Sequence, residues 1–273
     1  MGTLCITNKH FAELCKNNEF WRRLLFSRFG GNPPIDGPYN YEKIYKGLMS
    51  LNKDELLSHM ESIGGSLYPI GAEIWINDAY LYTDAILYLF NTDQNFKEKI
   101  FSDSVKLKYL LVCLVISGYL EKAQRLISII IDPTGDLLSK SIRILISVYL
   151  SNHRYYIIDF ILDKYPEIFD GAFWEYADAF WKLPKKHLIK LLSDSRITTF
   201  NKNILIFNSI NNDITSQDAM EYIKLYRDSI DKDFIYSYLE RILVADNAVN
   251  NLSFMLQNYG QVLRYLLLMT WKD

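Results

Sequence analysis

Little in this chain could hold a metal or carry redox chemistry. Only three cysteines occur (Cys5, Cys15 and Cys113), with no CxxC pair and no disulfide framework, so they read as small apolar side chains with free thiols. Such sparse thiols point to a reducing compartment, cytosol or nucleus. The four histidines (His10, His59, His153 and His187) stand far apart, none three or four residues from another His or Cys, and no zinc frame forms. His187, beside Lys185 and Lys186, reads as part of a solvated helix face. No GxGxxG, GxxxxGK[ST] or GxSxG motif is present, and Gly30-Gly31 and Gly64-Gly65 read as turn formers rather than phosphate cradles. Acidic residues are scattered singly. No catalytic, cofactor-binding or metal-binding residue is assigned, and the expectation is a protein that is not an enzyme.

Charge of one sign is also lacking. Thirty basic residues face 32 acidic ones, a net charge of −2, so there is no electrostatic case for nucleic acid. Long apolar runs are missing too. The most apolar stretch, Tyr109 to Leu120, falls well short of the ~20 residues of a bilayer span, and Glu121, Lys122 and Arg125 close it. No membrane partner is expected. At the N-terminus, Asn8, Lys9 and His10 interrupt any signal-peptide profile, and Ile6 stands where myristoylation takes Ser or Thr. The expectation is a cytoplasmic or nuclear protein.

What is present is apolar and helical in period. A hydrophobic fraction of 49% suffices for a sizeable core and excludes disorder as a global description. Gly30 to Asn40, GGNPPIDGPYN, cannot continue a helix, because proline lacks the N–H and glycine is entropically costly there. It divides the opening segment, residues 1–31, from the rest, with 32–40 as a linker. Residues 41–103 form a less regular helical region. Tyr41 to Leu51 and Asp54 to Ile63 read as helices around Asn52-Lys53, Ser66 to Asn77 as a loop or short extended piece around Trp75, and Asp78 to Phe90 as a helix.

From residue 104 to 273 a repeat emerges. Breaks fall near Gly118, Asn152, Leu183, Asp213 and Asp246, about 30 to 34 residues apart, the period of a helical-hairpin solenoid. Apolar stripes follow them: Leu120/Ala123/Ile127/Ile130, Ile158/Ile161/Leu162, Leu188/Leu191/Leu192 and Ala219/Tyr222/Ile223/Tyr226. Pro133 and Pro166 mark helix ends; Thr215 with Asp218, and Asp246-Asn247, mark starts. A single hairpin cannot bury its apolar face, so neighbours must stack. The alternative is an irregular all-helical globule. Aromatics concentrate at Phe173-Trp174, Tyr176 and Phe180-Trp181. Phe173, Tyr176 and Phe180 share one helix face while Trp174 and Trp181 share another. Burial explains both faces; an exposed one would be a binding surface.

The opening segment carries two short helices. Phe11, Leu14 and Cys15 make one stripe. Asn17-Asn18 breaks the chain and can cap the next helix, where Phe20, Trp21, Leu24 and Leu25 make a second apolar face with Arg22, Arg23 and Arg28 outward. From Leu4 through Lys9-His10-Phe11, Glu13-Leu14-Cys15 and Phe20-Trp21-Arg22-Arg23-Leu24, the segment resembles the C-terminal half of an F-box, closest to F-box proteins of large DNA viruses. The family's first half, a Leu-Pro and an amphipathic helix, has no counterpart after Met1. The resemblance implies binding to a Skp1-like adaptor and delivery of a client to a cullin ubiquitin ligase. The partner-binding residues it suggests are Leu4, Phe11, Leu14, Cys15, Phe20, Trp21 and Leu24, with Trp174 and Trp181 as candidates on the repeats. "SGYLEKAQRLI" is similar to the second helix of an ankyrin unit, although the TPLH-type signature is absent.

The expectation is therefore an all-α protein: an F-box-like segment, a linker, and helical-hairpin repeats of the α-solenoid or degenerate ankyrin-like kind. Its role would be that of a non-catalytic adaptor for protein partners. A scaffold with an inert F-box remnant is the alternative. An enzyme would instead require a concave pocket with convergent ionisable groups.

Overall fold

The computed structural model describes residues 9–29, 39–66, 71–130, 135–180, 182–199, 201–202 and 205. Among the described residues every regular element is a helix. They are α1 (Lys9–Cys15), α2 (Asn18–Phe29), α3 (Tyr41–Ser50), α4 (Lys53–Gly65), α5 (Ala72–Thr92), α6 (Gln94–Phe101), α7 (Ser104–Ile116), α8 (Leu120–Ile129), α9 (Asp136–Asn152), α10 (Tyr155–Lys164), α11 (Pro166–Phe180) and α12 (Lys185–Ser193). No helix among these residues is long and apolar enough to cross a membrane. The chain divides into two compact units, Met1–Ser151 and Asn152–Asp273, a division that falls inside the stretch with the repeat period.

In the first unit, short polar side chains start α3, α4, α6 and α7, whereas α5 and α8 begin after Gly71 and Tyr119 with no side-chain cap. Asn40 accepts from Lys43 N–H to begin α3. Asn52 and Glu55 form a reciprocal capping box on α4, while Asp93 caps α6 and Asp103 caps α7. Each satisfies donors that the first turn leaves free. The α7–α8 break occurs where glycine permits it. Gly118 has φ 80°, and Gly118 N–H and Tyr119 N–H donate to the Val115 and Leu114 carbonyls. That is a Schellman ending, which needs a left-handed residue.

The core of this unit lies between α5 and α7, with α3 packed on α5 and α4 on α7. Helix α7 buries Tyr109 through Ile116 without interruption, as expected of a helix apolar all round. Gly64 lets α4 and α7 approach: a β-carbon there would stand 2.7 Å from the Val105 carbonyl oxygen.

One expectation fails here. Trp75 lies not in a loop but in the first turn of α5, 3% exposed, against the Tyr109 ring at 5.5 Å. The helix begins at Ala72, right after Gly71. Pro69 and Gly71 suggested a longer break, but burial of Trp75 outweighs their weak local preference. The short helix α6 was equally hidden, its eight residues spanning too few turns for a clear period.

In the second unit, α10 buries Ile158, Ile161 and Leu162, and α12 buries Leu188, Leu191 and Leu192, the stripes expected from spacing. Phe173 and Phe180 of α11 are fully buried and stacked 4.9 Å apart. Pro166 stands at the first position of α11, where its missing N–H costs nothing. The expected stripe at 219–226 and the breaks at 213 and 246 lie outside the described residues.

Candidate functional site

The opening helices are built onto the first unit. Asn17 accepts from Glu19 N–H at 2.9 Å, capping α2 as its position suggests. The Asn18 side chain then clasps the start of α3, donating to the Tyr39 carbonyl and accepting from Tyr41 N–H, both at 3.0 Å. Trp21 faces inward, 3% exposed. Its ring meets Tyr45 at 5.5 Å, and its Nε1–H donates to the Cys15 carbonyl at 2.7 Å, which satisfies a C-terminal acceptor of α1. Leu25 is fully buried beside it. Glu19 takes hydrogen bonds from Arg22 (2.6 and 2.9 Å) and Arg23 (2.9 Å). These bonds, Arg22 first, hold its carboxyl down at about 2.

The sequence-derived binding residues thus separate. Trp21 is committed to the interior. Leu14, Cys15, Phe20 and Leu24 are half-buried. Phe11 belongs to α1, with its side chain outside the described residues, as is that of Trp174; Leu4 and Trp181 lie outside them altogether. Cys15 is disulfide-bonded. This corrects the expectation of a free thiol at Cys15. Cys113 remains free and buried, and burial pushes its thiol up.

Two residues missed by the sequence reading present apolar surface outward on α2. Phe26 is 53% and Phe29 40% exposed on α2. Phe29 reaches the Tyr45 ring at 6.0 Å, and exposed Met49 lies one turn further along α3. The spacing of Phe26 and Phe29 was available from sequence, but the stripe through Trp21 and Leu25 has the stronger helical period.

Chemistry-bearing side chains do converge inside the first unit. Asp78 of α5, 7% exposed, accepts from the Tyr109 hydroxyl of α7 at 3.0 Å and pairs with His59 Nε2 of α4 at 2.8 Å. Burial, reinforced by Cys113 and Asp78, drives the Tyr109 phenol far above its ordinary range, so it acts only as a donor. Tyr82 and Tyr109 ring the imidazole at 5.1 and 6.0 Å. The trio ties three helices together, yet it opens into neither groove on the surface. The larger, about 570 Å³, runs past Asp54, Glu61, Lys99, Asp103 and Lys106. Its charges neutralise one another: Lys106 binds Asp103 and, at 3.0 Å, Glu61, and Lys99 stands 3.7 Å from Asp54.

In the second unit a groove of about 420 Å³ holds Tyr155, Asp159, Lys190, Asp194 and Arg196. Arg196 is gripped by Asp159 (2.6 Å), Asp163 and Asp194 (2.7 Å). Its hydrogen bonds hold the Asp194 carboxyl at about 2. Lys190 lies 3.6 Å over the Tyr155 ring. His187, expected on a solvated face, is instead half-buried against His153. Among the described residues no three His, Cys or carboxylate side chains converge as metal ligands. No family model, curated protein or solved structure matches the chain.

Proposed function

We propose that the chain is a non-catalytic interaction module, a substrate adaptor that passes a bound client to a Skp1–cullin type ubiquitin ligase. The reading rests on the resemblance of Leu4–Gly30 to the second half of an F-box and on one geometric observation. Trp21 and Leu25 anchor α2, while Phe26 and, at the end of the anchoring stripe, Phe29 stay exposed, as do Arg23 and Arg28. Exposed aromatic side chains beside arginine are what protein interfaces favour. In this reading α7–α8 in the first unit and α11–α12 in the second are hairpins of a solenoid-type or ankyrin-like repeat, with Trp174 and Trp181 among the client contacts. A Skp1-type adaptor should co-elute with the full chain and not with a chain lacking residues 1–31. Co-elution undiminished by that deletion would contradict the proposal.

A second reading draws on the burial of Trp21 and the clasp at Asn18: α1 and α2 act as a structural cap on the first unit and are inert towards an adaptor. Under it, deleting residues 1–31 lowers stability without altering the capture of a client.

A further inference from the structure

His153 and His187 face each other ring to ring in the second unit. Their ring centroids are 5.1 Å apart with an interplanar angle of 37°. His153 has φ 56°, left-handed backbone in which His, Asn and Asp are the non-glycine residues most often found. Its Nδ1 is buried with no hydrogen-bond partner, as is the Asn152 side-chain nitrogen beside it. The Asn152 oxygen is used locally, accepting from Arg154 N–H at 3.0 Å. A proton added to His153 Nδ1 would therefore create a buried donor with no acceptor, which carries the full desolvation penalty.

Among the described residues, the charged side chains that act on His187 are Lys186 and Lys190 of its own helix α12, both positive. Burial lowers the tendency of His187 to protonate, and His153, Lys186 and Lys190 add to the effect. The carboxylates on the neighbouring elements are engaged elsewhere. Asp159, Asp163 and Asp194 hold Arg196, and Asp170 of α11 accepts from Asn201 at 2.5 Å. Glu167 and Glu175 of α11 are not among the groups that act on His187. Tyr155 lies beneath Lys190 and donates to Asp194 at 3.0 Å, and the Tyr156 hydroxyl accepts from Arg154 at 3.5 Å. A metal bridging the rings is disfavoured by these same lysines.

We propose that the His153–His187 pair is an acid-release latch within the second unit: with His187 neutral, the stacked rings hold the 152–154 turn against α12, and in mild acid protonation of His187 sets its charge against the neighbouring lysines and loosens α12. The sign follows from the favoured state. The fold prefers neutral His187, so its contribution is complete above the ordinary imidazole value of 6.5 and is lost as pH falls through the lower folded value.

Histidine ring titrations and amide protection, measured by NMR on the full chain, test this. Replacing His153 with Asn, which tolerates left-handed backbone, should move the His187 midpoint upward. In the wild type, protection of the Leu188, Leu191 and Leu192 amides should fall about tenfold or more between about pH 7.5 and about pH 5.5. In His187→Gln most of that fall should vanish. An unmoved His187 midpoint in His153→Asn, or an equal loss of protection in wild type and His187→Gln, would overturn the latch. Should His153→Asn fail to fold, the comparison of wild type with His187→Gln decides alone.

Discussion

His59 and His187 are both half-buried on helices, yet their surroundings are opposite. His59 has Asp78 at 2.8 Å, and Asp78 also takes the Tyr109 hydroxyl, so the imidazole has a partner in either protonation state. His187 has a second imidazole and lysines. Helix starts differ in part. Helices α3, α4, α6 and α7 carry Asn or Asp caps, while α5 and α8 of the same unit, like α10 and α12 of the second, begin with no side-chain cap. Among the described residues, the first unit joins His59, Asp78 and Tyr109 in one network. The second gathers Asp159, Asp163 and Asp194 around Arg196, and leaves His153 Nδ1 and the Asn152 side-chain nitrogen without a hydrogen-bond partner.

This comparison can be broken first at Tyr109. It is fully buried and links α7 to Asp78, so Tyr109→Ala should destabilise the first unit by about 3–5 kcal/mol. Denaturant unfolding followed by amide exchange would localise the loss there. Next comes Arg196→Ala, which strips three carboxylates of their counter-ion. Because the side chain is 30% exposed, the expected loss in the second unit is smaller, about 1–2 kcal/mol. It should shrink with added salt, which the Tyr109 effect should not. The finest test compares caps: Asp103→Ala should cost about 1 kcal/mol, and Arg154→Ala less than about 0.5 kcal/mol. Equal effects would remove the distinction drawn between the helix starts.

Much of the fold was legible in sequence for a physical reason: helices whose apolar residues recur every three or four positions bury those residues. The stripes of α10 and α12, the Asn17 cap and the Gly118 break all follow from local chemistry. Trp75 escaped because Pro69 and Gly71 signal a break whose end only tertiary burial decides. The polar interior was not legible at all. His59, Asp78 and Tyr109 are separated by 19 and 31 residues, so no local motif connects them, and His153 meets His187 only after two further helices have formed. At the candidate surface, sequence favoured Trp21 because its period is strongest, and that same period is what turns it inward.

The central claim is that α2 anchors through Trp21 and Leu25 and recognises a partner through the exposed Phe26 and Phe29. Calorimetric titration of a purified Skp1-type adaptor into wild type and into a Phe26→Ser/Phe29→Ser double variant tests it most directly, with circular dichroism and thermal unfolding recorded on both. The account predicts binding to wild type, a loss of at least about 2 kcal/mol of affinity in the variant, and nearly unchanged helicity and unfolding midpoint. Equal affinity in the two proteins, or no binding to either, would contradict it.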